Sequence, residues 1–335
     1  MRIKTAITEA EFTELVRPKL KLFLSVDVIG STQFKQRSSA THIHEWLNTF
    51  VSFYTTFPSL LQEAVAREDA GGETSSRRIT LWKILGDELI FTVELVKRRH
   101  AALFLHAFGC ALREAEAEWQ LKRSKDGRPR LALKGTAWIA GFPVGNAEVP
   151  LDGRDETATG GFFDYIGPQI DTGFRLKEHA TPRKLMLAAD LAFLIVATAG
   201  HKPLPFHLHF HGDQVLKGVL REKPYPLVWM DCDGHPARPG RRAAASLNAS
   251  KDKLLERRPA QPARLMTYLR LWLEDAGLRL PFVHGDSAPP CKPGPNYHKQ
   301  LQTATADLRQ NFTAEKSSDG KGKNEAPPGL AEFLR

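Results

Sequence analysis

The stretch Lys21-Leu-Phe-Leu-Ser-Val-Asp-Val-Ile-Gly-Ser-Thr-Gln-Phe34 constrains this chain more than any other. It reads as a strand that ends in one carboxylate, Asp27, and opens through a Gly-Ser-Thr turn into a helix N-terminus. Such a place suits a divalent cation and a phosphate chain, because free backbone N–H groups lie beside an anionic oxygen ligand. A second stretch, Trp82-Lys-Ile-Leu-Gly-Asp-Glu-Leu-Ile-Phe91, offers Asp87 at a hairpin tip. Two carboxylates converging on one site point to metal-assisted phosphoryl chemistry.

The chain has 335 residues, enough for one large domain with an appendage or for two modest domains. Its 47 Lys and Arg against 38 Asp and Glu give a formal charge of +9, which favours an anionic ligand, a nucleotide or a nucleic acid. The three cysteines, Cys110, Cys232 and Cys291, have no CxxC spacing, so neither a disulfide framework nor a cysteine zinc site is indicated. A reducing cytoplasm is the compartment this suggests. The amino-terminal residues lack the apolar core of a signal peptide. The longest apolar run, Leu191 to Ala199, is far short of the roughly 20 residues a bilayer span needs. No membrane insertion is expected.

Along the chain, residues 1–19 read as a helical lead-in. Ser39 to Glu68 has apolar positions at helical spacing, and Pro58 is expected to kink or divide that helix. Arg78 to Leu95 reads as a hairpin about Gly86-Asp87, and Lys97 to Lys122 as a second helix. Arg130 to Ile139 is a strand, followed by a polar loop running to Gly161. A helix from Pro168 to Ala180, a strand from Lys184 to Ala188, a helix from Leu191 and closing strands to Met230 complete an α+β arrangement. Residues 233–316 read as a linker and a helical extension, with an amphipathic helix over Ala263 to Leu278. Residues 317–335 read as a mobile tail. His207, His209 and His211 read as a polar strand face, since ligands at that spacing splay too far apart to close on one ion.

Three pieces occur in order between about Leu20 and Asp231: Phe23-Leu-Ser-Val-Asp-Val-Ile-Gly-Ser-Thr32, Lys83-Ile-Leu-Gly-Asp87, and Asp164-Tyr-Ile-Gly167 with Asp171 and Arg175 downstream. Together they resemble the catalytic domain of class III nucleotidyl cyclases. The wording of Ser25 to Thr32 and of Trp82 to Glu88 further resembles the pyrimidine (Pycsar) cyclases of bacterial antiphage systems. The resemblance implies a catalytic domain over residues 20–232 with a ferredoxin-like βαββαβ core and added strands and helices. It implies a lyase that closes UTP to 3′,5′-cyclic UMP and pyrophosphate, a second messenger in antiviral defence read by a separate effector. A cytidylate cyclase, an adenylate or guanylate cyclase, and an inactive nucleotide-binding module are the alternatives. No nucleic acid partner is expected.

The same resemblance assigns roles. Asp27, Asp87 and the backbone carbonyl of Val28 match the ligands of two Mg²⁺ or Mn²⁺ ions per site. The backbone around Gly30, Ser31 and Thr32 matches the triphosphate cradle. Lys83 and Asp164 match the base-reading pair, and uracil offers carbonyl acceptors to the one and an N3 hydrogen to the other. Bulky neighbours such as Phe50, Tyr54, Trp82 or Phe163 would exclude a purine by volume. Arg175 matches the arginine that stabilises charge on the transition-state phosphorus. Asp171 stands where the family has asparagine, so it would accept rather than donate; an ion pair with Arg175 one turn on is its plain alternative. Lys217 matches a triphosphate-binding lysine on a late strand and reads equally as a solvated strand lysine. In the family, metal ligands of one protomer meet the other residues of a second, which implies a homodimer with shared sites.

Overall fold

The computed structural model describes residues 3–39, 43–69, 72, 78–123, 131–152, 162–200, 202–232 and 242–314. The chain opens with strand β1 (Ala6–Ile7), helix α1 (Glu9–Val16), strand β2 (Lys19–Ile29) and helices α2 (Ser31–Ser39) and α3 (Ile43–Glu68). Strands β3 (Thr80–Leu85) and β4 (Glu88–Leu95), helix α4 (His100–Arg123) and strands β5 (Ala132–Phe142), β6 (Ala147–Leu151) and β7 (Phe162–Ile166) follow. Then come helix α5 (Pro168–Leu176), strand β8 (Lys184–Leu187), helix α6 (Ala189–Ala199) and strands β9 (Leu208–Val215) and β10 (Pro224–Asp231). Helices α7 (Arg242–Leu254), α8 (Pro262–Asp275) and α9 (Tyr297–Asn311) lead to strand β11 (Thr313–Ala314). The linker at 233–241 and the tail from 317 lie outside the described residues. Among the described residues no helix is long and apolar enough to cross a membrane.

The elements gather into two compact units, one made of Lys19–Ala140 and Pro168–Gly294, the other of Met1–Pro18, Gly141–Gly167 and Pro295–Arg335. The larger unit holds a sheet in the order β3-β4-β2-β5-β8-β10-β9. Its first four strands, threaded through α3 and α4, form the βαββαβ core with the ferredoxin-like order β3-β4-β2-β5. Strand β2 runs antiparallel to β4, from Leu20 opposite Leu95 to Asp27 opposite Glu88.

Side chains alternate across β2, so its two faces meet different layers. Leu22, Leu24 and Val26 are buried. On that face Phe91, the partner of Leu24, meets Phe57 of α3, which in turn meets Phe108 of α4. On the opposite face Phe23 stacks on Trp138 at 5.4 Å and meets Trp82 edge-on at 5.3 Å. Phe174 of α5 covers both indoles, at 5.8 Å from Trp138 and 6.3 Å from Trp82. A Cβ on Gly173 would lie 2.2 Å from the Trp138 ring, so α5 sits as close to β5 as its backbone permits.

The division expected at Pro58 does not occur, and α3 is continuous from Ile43 to Glu68. Phe53 and Phe57 before the proline and Leu61 and Ala64 after it are all buried, which offsets the one hydrogen bond that proline removes. Helix α8 matches the amphipathic helix expected over Ala263 to Leu278. Its Leu265, Leu269, Trp272 and Leu273 are buried, Trp272 lying against Tyr225 of β10 and donating Nε1–H to the Pro224 carbonyl at 3.1 Å. His209 departs from the polar strand face: it is buried and stacked on Trp229 at 4.2 Å, and burial holds its imidazole below the ordinary value.

In the smaller unit α1 starts with a capping box between Thr8 and Glu11. Ile7, Phe12, Leu15, Leu308 and Phe312 form its core, with Ile3, Val16 and Phe163 packed against them. Strand β1 pairs in parallel with β11, Ala6 opposite Thr313. Strand β6 lies within the stretch expected as a polar loop and pairs antiparallel with β7, Val149 opposite Asp164.

Candidate active site

The pairing of β2 with β4 decides the geometry of the site. Asp27 faces Glu88, the first residue of β4, and Asp87 precedes Glu88 in the tight turn from β3. The two aspartates predicted to act together therefore stand at the same end of the sheet on adjoining elements. Gly86 holds φ +65° in that turn, a conformation glycine adopts without steric cost. Tyr54 of α3 donates its hydroxyl to the Gly86 carbonyl and fixes the turn from the side. Burial, and then the neighbouring Asp87 carboxylate, raise the Tyr54 phenol above its ordinary value.

Each aspartate already faces an ammonium group. Lys134 of β5 reaches Asp27 Oδ2 at 3.0 Å, and Lys35 of α2 reaches Asp87 Oδ1 at 3.7 Å while lying over the Phe50 ring at 5.0 Å. Asp27 and Asp87 are about a fifth to a quarter exposed, with side-chain values of 21% and 24%. Beneath them, buried Glu88 accepts from Ser25 Oγ at 2.6 Å and from Lys177 Nζ at 3.0 Å. Lys177 follows α5, so this ion pair ties the end of α5 to β4 while Phe174 ties its middle to Trp138. Sequence reasoning missed Lys35, Lys134, Glu88 and Lys177. Only the strand order, which sets β5 beside β2, reveals Lys134.

Past Asp27 the strand carries Val28 and ends at Ile29, and Gly30 turns the chain at φ +82°. A Cβ there would meet only Leu131, at 3.8 Å, so the backbone angle rather than crowding calls for glycine. Helix α2 begins at Ser31, and Phe34 donates its N–H to the Gly30 carbonyl at 2.9 Å. The first-turn N–H groups, including those of Ser31 and Thr32, have no intrahelical acceptor. They place partial positive charge one turn from Asp27. Ser31 is buried and Thr32 exposed.

Lys83 lies on β3, half-buried, with Nζ 4.8 Å from the Trp82 ring centroid. The β3–β4 register shifts at Trp82, so Leu81 pairs with Phe91 and Lys83 with Ile90. This bulge turns Trp82 and Lys83 to the same side of the sheet, the side of Phe23, Ser25 and Asp27. Asp171 and Arg175 are both exposed on α5, opposite its buried Ile170, Gly173 and Leu176. Among the described residues they form no ion pair with one another or with any other group. Asp164 belongs to the smaller unit, on β7, where its Oδ1 accepts the Tyr165 N–H at 2.8 Å. Lys217 is exposed in the turn after β9 and not on a strand; β9 is separated from β2 by β5, β8 and β10.

The donor set at the sheet end consists of oxygen atoms: two carboxylates and the Val28 carbonyl. Hard divalent cations such as Mg²⁺ and Mn²⁺ take such ligands, and the lysines at 3.0 and 3.7 Å show that the site accommodates positive charge.

No protein-family description matches the chain, and no curated protein matches it. Among solved structures it is similar to the adenylyl cyclase CyaB from P. aeruginosa, at 14% identity and a TM-score of 0.42, covering 67% of this chain and 97% of that one. It is also similar to the guanylyl cyclase Cya2, at 13% identity and a TM-score of 0.43, covering 67% and 96%. A third is an adenylate/guanylate cyclase/hydrolase from Silicibacter pomeroyi, at 12% identity and a TM-score of 0.39, covering 64% and 98%. Each is a likeness of chain path at low identity.

Proposed function

We propose that this chain is a nucleotidyl cyclase that closes UTP to 3′,5′-cyclic UMP with loss of pyrophosphate, working as a homodimer. The observation that carries this reading is the β2–β4 register, which sets Asp27 and Asp87 at one sheet end beside two ammonium groups and a helix N-terminus. The ribose 3′-hydroxyl and the α-phosphorus belong to one molecule, so the protein's task is to fold that molecule into line and to neutralise charge.

Asp27, Asp87 and the Val28 carbonyl would hold two Mg²⁺ or Mn²⁺ ions. When bound, such ions ease deprotonation of the 3′-hydroxyl and balance charge on the departing pyrophosphate. The amides of Ser31 and Thr32 beyond Gly30 take phosphate oxygens, and Lys134 and Lys35 are placed to turn from their carboxylates toward the same anion. Arg175 and Asp171 are exposed and unpaired among the described residues of their own chain, which supports their serving a second protomer. There Arg175 stabilises charge at the α-phosphorus and Asp171 orients it or accepts from a ribose hydroxyl. Lys83 donates to a uracil carbonyl and Asp164 accepts from N3–H. The preference for a pyrimidine rests on the likeness of Ser25 to Thr32 and of Trp82 to Glu88 to pyrimidine cyclases. Lys217 serves the triphosphate from its exposed turn. The cyclic product is the messenger for a separate antiphage effector.

A second reading, a nucleotide-binding module without turnover, draws on Lys134 and Lys35 already neutralising both aspartates and on Asp171 in place of asparagine. Incubation with each of the four ribonucleoside triphosphates and Mn²⁺, followed by mass analysis, separates the readings. Cyclic UMP as the main product supports the first. Cyclic CMP or a cyclic purine nucleotide overturns the base assignment alone. Triphosphate binding without any cyclic product establishes the binding module.

A further inference from the structure

Away from the strand ends that carry Asp27 and Asp87, a second set of reactive groups assembles where α3 meets α4. His106 and Cys110 are one helical turn apart on α4, so they share a face, with the imidazole Nε2 3.9 Å from Sγ. Glu68, the last residue of α3, bonds His106 Nδ1 at 2.7 Å. Arg113 donates from Nη2 to the same sulfur at 3.0 Å. One residue before Glu68, Arg67 grips both oxygens of Glu114 at 2.8 and 2.9 Å, so α3 and α4 are braced at two adjacent points.

The bonding on each atom is directional. With Nδ1–H given to Glu68, the ring presents Nε2 to the sulfur, and a guanidinium can only donate. The hydrogen bond to Cys110 raises the His106 imidazole above its ordinary value against the pull of burial, and Glu68 adds to the rise. An imidazole and a guanidinium thus converge on one sulfur. Cysteine sulfurs set beside a guanidinium and an imidazole are those that attack electrophiles. Cys110 is part-exposed, whereas Cys232 and Cys291 are buried. A Glu, His and Cys in one cluster also suggests a metal. Here the guanidinium at 3.0 Å already occupies the sulfur, and three groups fall short of the four ligands of a structural zinc site.

We propose that Cys110 is a nucleophilic thiol that exchanges with low-molecular-weight disulfides. The Cys110 thiol passes its proton to His106 Nε2 as its sulfur attacks one sulfur of the small disulfide. A mixed S–S bond forms, the original S–S bond breaks, and the departing thiolate takes the Nε2 proton of His106. Glu68 is a positioning residue, holding the ring so that Nε2 faces the sulfur. An excess of small thiol reverses the exchange.

The test is exposure of the native full-length chain to glutathione disulfide at pH 7, with quenched time points read by intact mass and peptide mapping. Cys110 is expected to gain the adduct at least about tenfold faster than Cys232 or Cys291, and faster than in the same chain unfolded in urea. Arg113→Gln and Glu68→Gln should each slow the reaction by about threefold or more while melting within a few degrees of the parent. A pure brace between helices would shift the melt and leave the rate alone. Equal rates in the folded and unfolded chain overturn the proposal without reliance on any variant. Stoichiometric zinc in the purified protein, with adduct formed only after chelation, overturns it in favour of a metal site.

Discussion

Lys134 sets its Nζ 3.0 Å from Oδ2 of Asp27, joining a β5 side chain to the carboxylate at the end of β2. On the proposed function a nucleotide's charge is balanced beside this pair, which separates the roles of the two residues. Asp27→Asn should lower cyclase turnover by more than about a hundredfold, because it removes a charged ligand needed in the transition state. Lys134→Met should act mainly on KM, by about tenfold, since a point charge on the triphosphate contributes to binding throughout. Steady-state kinetics at saturating Mn²⁺ distinguishes them, and a Lys134→Met enzyme with unchanged KM removes Lys134 from the site.

Asp171 and Arg175 project from the exposed side of α5, so the dimer reading can be tested by mixing. Asp27→Ala and Arg175→Ala chains should each be inactive alone. Mixed after separate purification, they should recover about a quarter of parental activity, the share expected for one intact site in half of the dimers. Mixed chains that remain inactive while each variant is still dimeric speak against shared sites.

Gly173 meets the Trp138 ring at a distance that no side chain tolerates, with a built Cβ at 2.2 Å. Alanine is the better helix former by about 0.8–1.0 kcal/mol, whereas overpacking a well-filled core costs about 1–3 kcal/mol. The second effect wins here, because Trp138 is itself stacked on Phe23 and has nowhere to retreat. Gly173→Ala should therefore lower the denaturation midpoint and alter the near-ultraviolet signal of Trp138, and turnover should fall as α5 lifts from the sheet.

Glu88 is buried, and its charge is balanced by Lys177 at 3.0 Å with help from Ser25. Replacing Lys177 by Met strands the carboxylate, at a cost of about 1–3 kcal/mol given that Lys177 is itself partly exposed. Adding Glu88→Met should return most of the loss, since two apolar groups satisfy one another. Urea unfolding with an unchanged slope reads this directly, and a Lys177→Met chain as stable as its parent shows the pair to be incidental.

Burial pushes the Asp190 carboxyl from an ordinary 3.8 up to about 7, against the Leu191 N–H that Oδ1 accepts at 2.8 Å. The folded chain then holds this proton more tightly than the unfolded chain between those two values. Stability conferred by the protonated group is complete at the acid end and declines as pH rises toward 7, by up to about 1.4 kcal/mol per unit, then levels. Asp190→Asn should flatten that slope in melts taken across the range. A parallel slope in parent and variant assigns the dependence elsewhere.

The strand ending at Asp27 and the hairpin carrying Asp87 were legible in the sequence because both are local: an apolar run, a turn residue, a carboxylate. Their convergence followed once β2 and β4 paired. Lys134 and Glu88 were not legible, since a lysine or glutamate in a strand shows its neighbour only when sheet order is known. The bulge at Trp82 left no mark in the alternation of Leu81, Trp82 and Lys83, all of which suit a regular strand. Strand β6 carries Pro150, and α9 has a mostly polar surface with Tyr297 and Leu308 buried, so neither displays a strong period. Val-Leu-Lys-Gly-Val around Lys217 looked like a strand, yet Gly218 at φ +75° bends it into a turn. At Pro58 the reverse occurred, where tertiary burial overrode a strong local signal.

The parallel pairing of Ala6 with Thr313 sets a timetable for the emerging chain. Translation delivers α1 before the sheet, yet Phe12 and Leu15 meet Leu308 and Phe312 only after some three hundred further residues have left the ribosome. The seven-stranded sheet can close long before then, as its last strand ends at Asp231. The smaller unit thus matures after the sheet, and an interrupted message yields a chain whose α1 still shows its greasy side to chaperones.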